Sequence, residues 1–136
     1  MEINVIEDDV LINIKTAFQE YYPYLTLRFY KNPHEEKAAS FESERIPLDK
    51  PMEEVTMFHT SGRIDISPDR TVAAVEYDFF KILGLCVQIF RKSGNLWLET
   101  IQTDHWTLQE QNEIGKESCI QQPRKEPEDF NLLDLT

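Results

Sequence analysis

A chain of 136 residues with 25 acidic and 14 basic side chains carries a formal charge of -11. Phosphate binding needs a basic face, so this balance argues against a nucleic-acid binder and against docking on an anionic membrane. Eight Phe, five Tyr and two Trp suit one packed domain with a tail, not a disordered chain.

Cys86 and Cys119 lie far apart and neither has a C-x-x-C neighbour, so no zinc knuckle or redox motif is present. The start, MEINVIEDD, is acidic and has no long apolar run, unlike a signal peptide. The longest apolar run, 82–87, is too short to span a bilayer, and the expected location is cytoplasmic.

In chain order, residues 2–6 read as a strand with Ile3 and Val5 on one face. Asp8 is placed to cap a helix in which Val10, Leu11, Ile14, Ala17, Phe18 and Tyr21 recur at helical spacing and which Pro23 stops. Residues 24–31 alternate, with Leu25, Leu27 and Phe29 inward and Thr26, Arg28 and Tyr30 outward, as in a half-buried strand. Residues 32–61 form a polar insert with a flexible first half and a short helix within 52–58. The pattern restarts with a strand over 63–67. Ser67 and Pro68 then open a helix whose buried stripe is Val72, Val75, Phe79, Ile82 and Leu83, and Gly84 ends it. Strand 85–92, a turn at Ser93-Gly94-Asn95 and a return strand 96–102 follow. Thr107 and Glu110 match a capping box for a third helix reaching about Gly115. Composition changes in the tail, 121–136.

The chain also resembles itself. A shift of 61 sets Ile3 on Ile64, Asp8 on Asp69, Phe18 on Phe79, Phe29 on Phe90 and Lys31 on Lys92. In the second strand a shift of 60 matches the apolar faces, pairing Leu25, Leu27 and Phe29 with Leu85, Val87 and Ile89. Two strand–helix–strand units in tandem predict an α+β two-layer sandwich, the ferredoxin-like split β-α-β-β-α-β, with the return strand and third helix as additions. A β-grasp-like arrangement is the alternative.

Four glycines, 62, 84, 94 and 115, sit at predicted boundaries, so no phosphate loop and no nucleotide cofactor is expected. His34, His59 and His105 lack metal-site spacing, and no metal is expected. Trp97, Glu99, Asp104, His105 and Trp106 form the richest polar–aromatic cluster. Asp104 and His105 read as an acid–base couple between tryptophan walls, or as residues that order a loop. Arg28, Lys31, Arg91 and Lys92 end two strands expected to run the same way, giving a basic rim for an anion or acidic partner. In the tail, Phe130, Leu132, Leu133 and Leu135 follow the acidic–hydrophobic pattern of a docking peptide, or pack back on their own sheet.

The segment WLETIQTDHWTLQEQNEIG (97–115), with TVAAVE before it, resembles a family of small uncharacterised bacterial proteins over about 62–115. That resemblance implies no established activity and no catalytic residue. A looser likeness to β-grasp domains rests on T-V-x-x-V and a late T-L. The expected function is a non-catalytic module, a monomer or weak homodimer, that binds a protein partner. The alternatives are a small-ligand or enzyme site near Trp97–Trp106, and homo-oligomerisation through the edge strand 96–102.

Overall fold

Two strand–helix–strand units lie in tandem, and each pairs its strands with those of the other. The computed structural model describes residues 1–32, 42–56 and 61–120. Strand β1 (Glu2–Val5), helix α1 (Leu11–Tyr21) and strand β2 (Leu25–Tyr30) lead to a one-turn helix, α2 (Met52–Val55). Strand β3 (Gly62–Asp65), helix α3 (Val72–Leu83) and strand β4 (Cys86–Ser93) form the second unit, followed by β5 (Leu96–Glu99) and α4 (Leu108–Ile120). The fold is the expected α+β two-layer sandwich. Its strands fall in two antiparallel ladders, β1–β3 and β2–β4–β5, rather than in one split sheet. Helices α1 and α3 pack on both, around a core of Ile3, Val5, Leu11, Phe18, Leu27, Phe29, Ile64, Val75, Phe79 and Ile89.

Each ladder joins a strand to its own counterpart. Ile3 stands opposite Ile64 in β1–β3, and these are equivalent at a shift of 61. Arg28 stands opposite Gln88 in β2–β4, and these are equivalent at a shift of 60. A local two-fold axis therefore passes through both pairs, as at an isologous dimer interface. The change of shift has a local cause. Gly84, with φ 71°, closes α3 in a left-handed turn directly before Leu85, while the first unit takes one more residue, through Pro23 and Tyr24.

The symmetry reaches further than the sequence pattern. Helix α1 begins after Val10, which has no side-chain acceptor, so its first amides need partners from elsewhere. The Leu11 and Ile12 amides donate to the carbonyls of Lys50 and Leu48, each at 2.9 Å. In the second unit the Val72 and Ala73 amides donate to the carbonyls of Trp106 and Asp104, at 3.0 and 2.8 Å. Val10 bridges Pro51 as Thr71 bridges Thr107. The Met52 amide donates to Asp9 as the Leu108 amide donates to Arg70. Residues 48–52 thus correspond to 104–108, at a shift of 56. The stretch 42–56, expected as part of a polar insert, is the first unit's version of the segment that leads into α4. Met52, only 1% exposed, stands where Leu108 does. The expected flexible first half of the insert falls largely on 33–41, outside the described residues.

Several boundaries differ from expectation. Thr71, not Ser67, caps α3, its hydroxyl accepting from the Ala74 amide at 3.1 Å. Ser67 instead donates to Asp65, and its hydroxyl, followed by its amide, holds the Asp65 carboxyl below its usual range. Asp8 caps nothing; it is Asp9 whose carboxylate takes the Ile6 amide. Ile82 lies at the margin of the α3 stripe and is 41% exposed. The capping box is present: the Thr107 amide donates to Glu110 Oε1 and the Glu110 amide to Thr107 Oγ1. Helix α4 runs past Gly115, which serves as a contact point; a Cβ there would lie 2.9 Å from Tyr24 Cβ. Strand β5 stops at Glu99, where the Thr100 hydroxyl turns in to donate to the Ile89 carbonyl at 2.7 Å. Among the described residues no helix is long and apolar enough to cross a membrane.

Two outcomes test this architecture. Met52→Ala should lower unfolding free energy by about 2–5 kcal/mol in urea, as for a core truncation. An unchanged midpoint would return 42–56 to the status of a loose insert. Tyr22 sits against the first unit's end of the core, its hydroxyl donating to the Ile66 carbonyl at 2.6 Å. Burial, followed by the nearby charges of Asp65 and Asp69, raises its pKa from 10.0 to about 12. A raised phenol favours the fold below pH 10, and that contribution is lost as pH rises from 10 towards 12. Tyr22→Phe should flatten this alkaline loss in pH-dependent melts.

Candidate anion-binding cleft

Strand β2 is paired on one side by β4 and only partly on the other. Beyond its end the Lys31 amide donates to Glu44, the Ile46 amide donates to Phe29, and Tyr30 bridges Arg45. The chain then turns away to reach the start of α1 through Leu48 and Lys50. The divergence opens a cleft of about 110 Å³ lined by Lys15, Thr26, Leu27, Arg28, Arg45, Leu48 and Trp97. Its lining holds three cations and no carboxylate, imidazole or thiol.

Each cation is held differently. Lys15 comes from the flank of α1. The Arg28 guanidinium lies 4.1 Å from the centroid of the Phe90 ring, which fixes it across the sheet. Arg45 reaches Glu42 at 2.9 Å in an exposed i,i+3 pair, a weak restraint. The Thr26 hydroxyl, on a side chain 3% exposed, has no hydrogen-bond partner. A buried unpaired hydroxyl costs about 1–3 kcal/mol, so its presence calls for an explanation. Thr26 and Tyr30, expected on the outer face of a half-buried strand, are both buried. Burial also pushes the Tyr30 phenol up.

The expected basic rim does not form. Strands β2 and β4 are antiparallel, so Arg91 stands opposite Leu25 while Lys31 lies beyond Tyr30, which faces Cys86. The two-fold axis that relates the units reverses the second strand, which the expectation of parallel ends overlooked. Arg28 alone of the four lines the cleft. Arg91 lies on the other sheet face, where it donates to Gln111 Oε1 at 2.9 Å. The buried Gln111 amide in turn donates to Thr103. Burial lowers the Arg91 pKa, and its guanidinium lies 6.0 Å from the Trp106 ring centroid. Lys92 stands over Trp97 at 4.9 Å.

The polar–aromatic cluster is also divided. Trp97 walls the cleft, whereas Trp106 belongs to the junction of α3 with α4. The Asp104 and Trp106 carbonyls cap α3, and His105 is exposed, edge-on to Trp106 at 6.4 Å. This segment orders a helix start and brings no acid–base couple to the cleft. Glu99 is exposed opposite Phe90. Burial pushes the Cys86 thiol up, away from the thiolate a nucleophile needs. Among the described residues no group of three His, Cys, Asp or Glu could hold a metal ion. His34, His59 and the tail residues Phe130, Leu132, Leu133 and Leu135 lie outside the described residues.

Sequence reading missed Lys15, Thr26 and Arg45. The signal lies in the strand pairing and not in the sequence: Arg45 bridges Tyr30 of β2 as Glu99 pairs with Phe90 of β4. Comparison with protein-family models, with curated proteins and with solved structures finds no match.

Proposed function

We propose that the chain is a non-catalytic binding module that receives an anionic side chain of a partner protein in the cleft at the edge of β2. One observation carries this reading. Lys15, Arg28 and Arg45 line one cleft together with Thr26, whose buried hydroxyl is unpartnered, with no acidic group in the lining, on a chain of charge -11. Charge-assisted hydrogen bonds in such a partly buried setting are about twice as strong as neutral ones. The lining offers donors to hold an anion and contains no carboxylate, imidazole or thiol. Leu27, Leu48 and Trp97 add apolar walls for the stem of a side chain.

The body of the protein narrows the ligand. A field of 25 carboxylates repels a polyanion, so a nucleic acid is disfavoured even with three cations in the cleft. A single anionic group on an otherwise neutral segment meets the local attraction without the long-range cost.

The test is a titration of 15N-labelled protein with a short, otherwise neutral peptide carrying one glutamate. Amides of Thr26, Leu27 and Arg28 and the Trp97 indole should shift together. The double variant Arg28→Ala, Arg45→Ala should bind at least about tenfold more weakly, since bonds to charged groups contribute about 1.5–3 kcal/mol. Shifts elsewhere only, or equal binding by the double variant, would refute the reading.

A further inference from the structure

The two halves of the fold treat the same strand edge in opposite ways. In the second unit Glu76, on α3, reaches the edge of β4 and its Oε2 accepts from the Ile89 amide at 2.8 Å. The Ile89 carbonyl on that edge accepts from Thr100. In the first unit Phe29 is the counterpart of Ile89, and its carbonyl accepts from Ile46 on the same edge. The amide and carbonyl of one residue in an antiparallel strand point to the same side, so the Phe29 amide points away from β4, as the Ile89 amide points away from β2. The counterpart of Glu76 is Lys15, which has donors and no acceptor. Lys15 cannot do for Phe29 what Glu76 does for Ile89.

The substitution is not isolated. Arg28 replaces Gln88 across the two-fold, and Arg45, bridged to Tyr30, replaces Glu99, paired with Phe90. Lys15, Arg28 and Arg45 thus stand where Glu76, Gln88 and Glu99 stand in the second unit. One edge carries its own carboxylate; beside the equivalent edge lies the cleft, whose lining holds Lys15, Arg28, Arg45 and Thr26 with its buried hydroxyl.

We infer that the cleft is specific for a carboxylate, supplied by an acidic side chain of a partner segment lying along β2, in the position that Glu76 takes on β4. The inference rests on the anion-binding reading above and narrows it to one chemistry. A carboxylate presents two acceptor oxygens in a plane, which suits an edge amide beside a lysine or arginine.

Lys15→Glu tests it by giving the first unit the residue of the second. The introduced carboxylate should occupy the edge itself. Affinity for the one-glutamate peptide should fall by at least about tenfold, since one charge-assisted bond is replaced by a like charge. The Phe29 amide resonance of the free variant should move towards its position in the peptide-saturated native protein. Lys15→Gln, which removes the charge without supplying a carboxylate, should weaken binding less and leave the Phe29 amide in place. Thermal melts of both variants confirm folding. Inorganic phosphate is the competing probe. Binding of phosphate but not of the peptide, lost in the Arg28→Ala, Arg45→Ala variant, would overturn the carboxylate inference and leave the anion reading standing. Undiminished peptide binding by Lys15→Glu would overturn it as well. Binding of neither probe to the native protein would remove both.

Discussion

The fold depends on where the first amides of two helices find their acceptors. An α-helix leaves its opening N–H groups without internal partners, and a buried amide left unpaired costs about as much as a lost hydrogen bond. Val10 offers no side-chain acceptor, and Thr71 satisfies only the amide of Ala74. Both helices therefore take carbonyls from a segment that follows their own second strand: Leu48 and Lys50 for α1, Asp104 and Trp106 for α3. Each β-α-β unit is closed by chain that comes after it. Neither unit can complete its helix from neighbouring sequence alone, and the element after each closing segment, α2 or α4, is anchored by an apolar residue, Met52 or Leu108, in the core.

That closure leaves the two halves free to differ at their strand edges. Because both units use the same scheme, the edges of β2 and β4 are equivalent in geometry and free to differ in chemistry. On β4 the edge is consolidated by Glu76 and Thr100. On β2 the same places hold Lys15, Arg28 and Arg45, and the segment diverges after Ile46 to leave a cleft. Divergence of two structurally redundant edges lets one stabilise while the other presents donors. The isolated Thr26 hydroxyl belongs to the second kind, since polar groups left unsatisfied in a core are a stability cost that concentrates at binding sites.

What was legible in the sequence follows from the range of the interactions. The strands and helices whose apolar faces recur at fixed period were readable: the stripe Val72, Val75, Phe79 and Leu83, the shift of 60 that aligns Leu25 with Leu85, and the reciprocal cap of Thr107 and Glu110. Residues 42–56 were not, because their structural role lies in backbone carbonyls, which carry no residue signature, and in two isolated buried residues, Ile46 and Met52. Strand direction was missed for a related reason. Periodicity marks which face is buried but not how two strands are oriented, and the rim of Arg28, Lys31, Arg91 and Lys92 needed β2 and β4 to run together. The cluster around Asp104 and His105 misled because its polarity serves the α3 helix start.

The chemistry of the cleft stands out only against the equivalent places across the two-fold. Lys15 reads as a solvated helical lysine and Arg45 as one charge in a polar stretch. Neither stands out in a chain with 14 basic residues. Their meaning comes from the residues across the axis. An edge position that bears glutamate in one half and lysine in the other, beside an outward-facing amide in both, cannot be bonded the same way twice. In the second half the Ile89 amide has its acceptor within the chain. In the first half the equivalent α1 side chain, Lys15, has donors and no acceptor. Lys15 and Arg45 reverse the charge of Glu76 and Glu99, and Arg28 replaces the neutral Gln88, so equivalent places in the two halves present opposite chemistry.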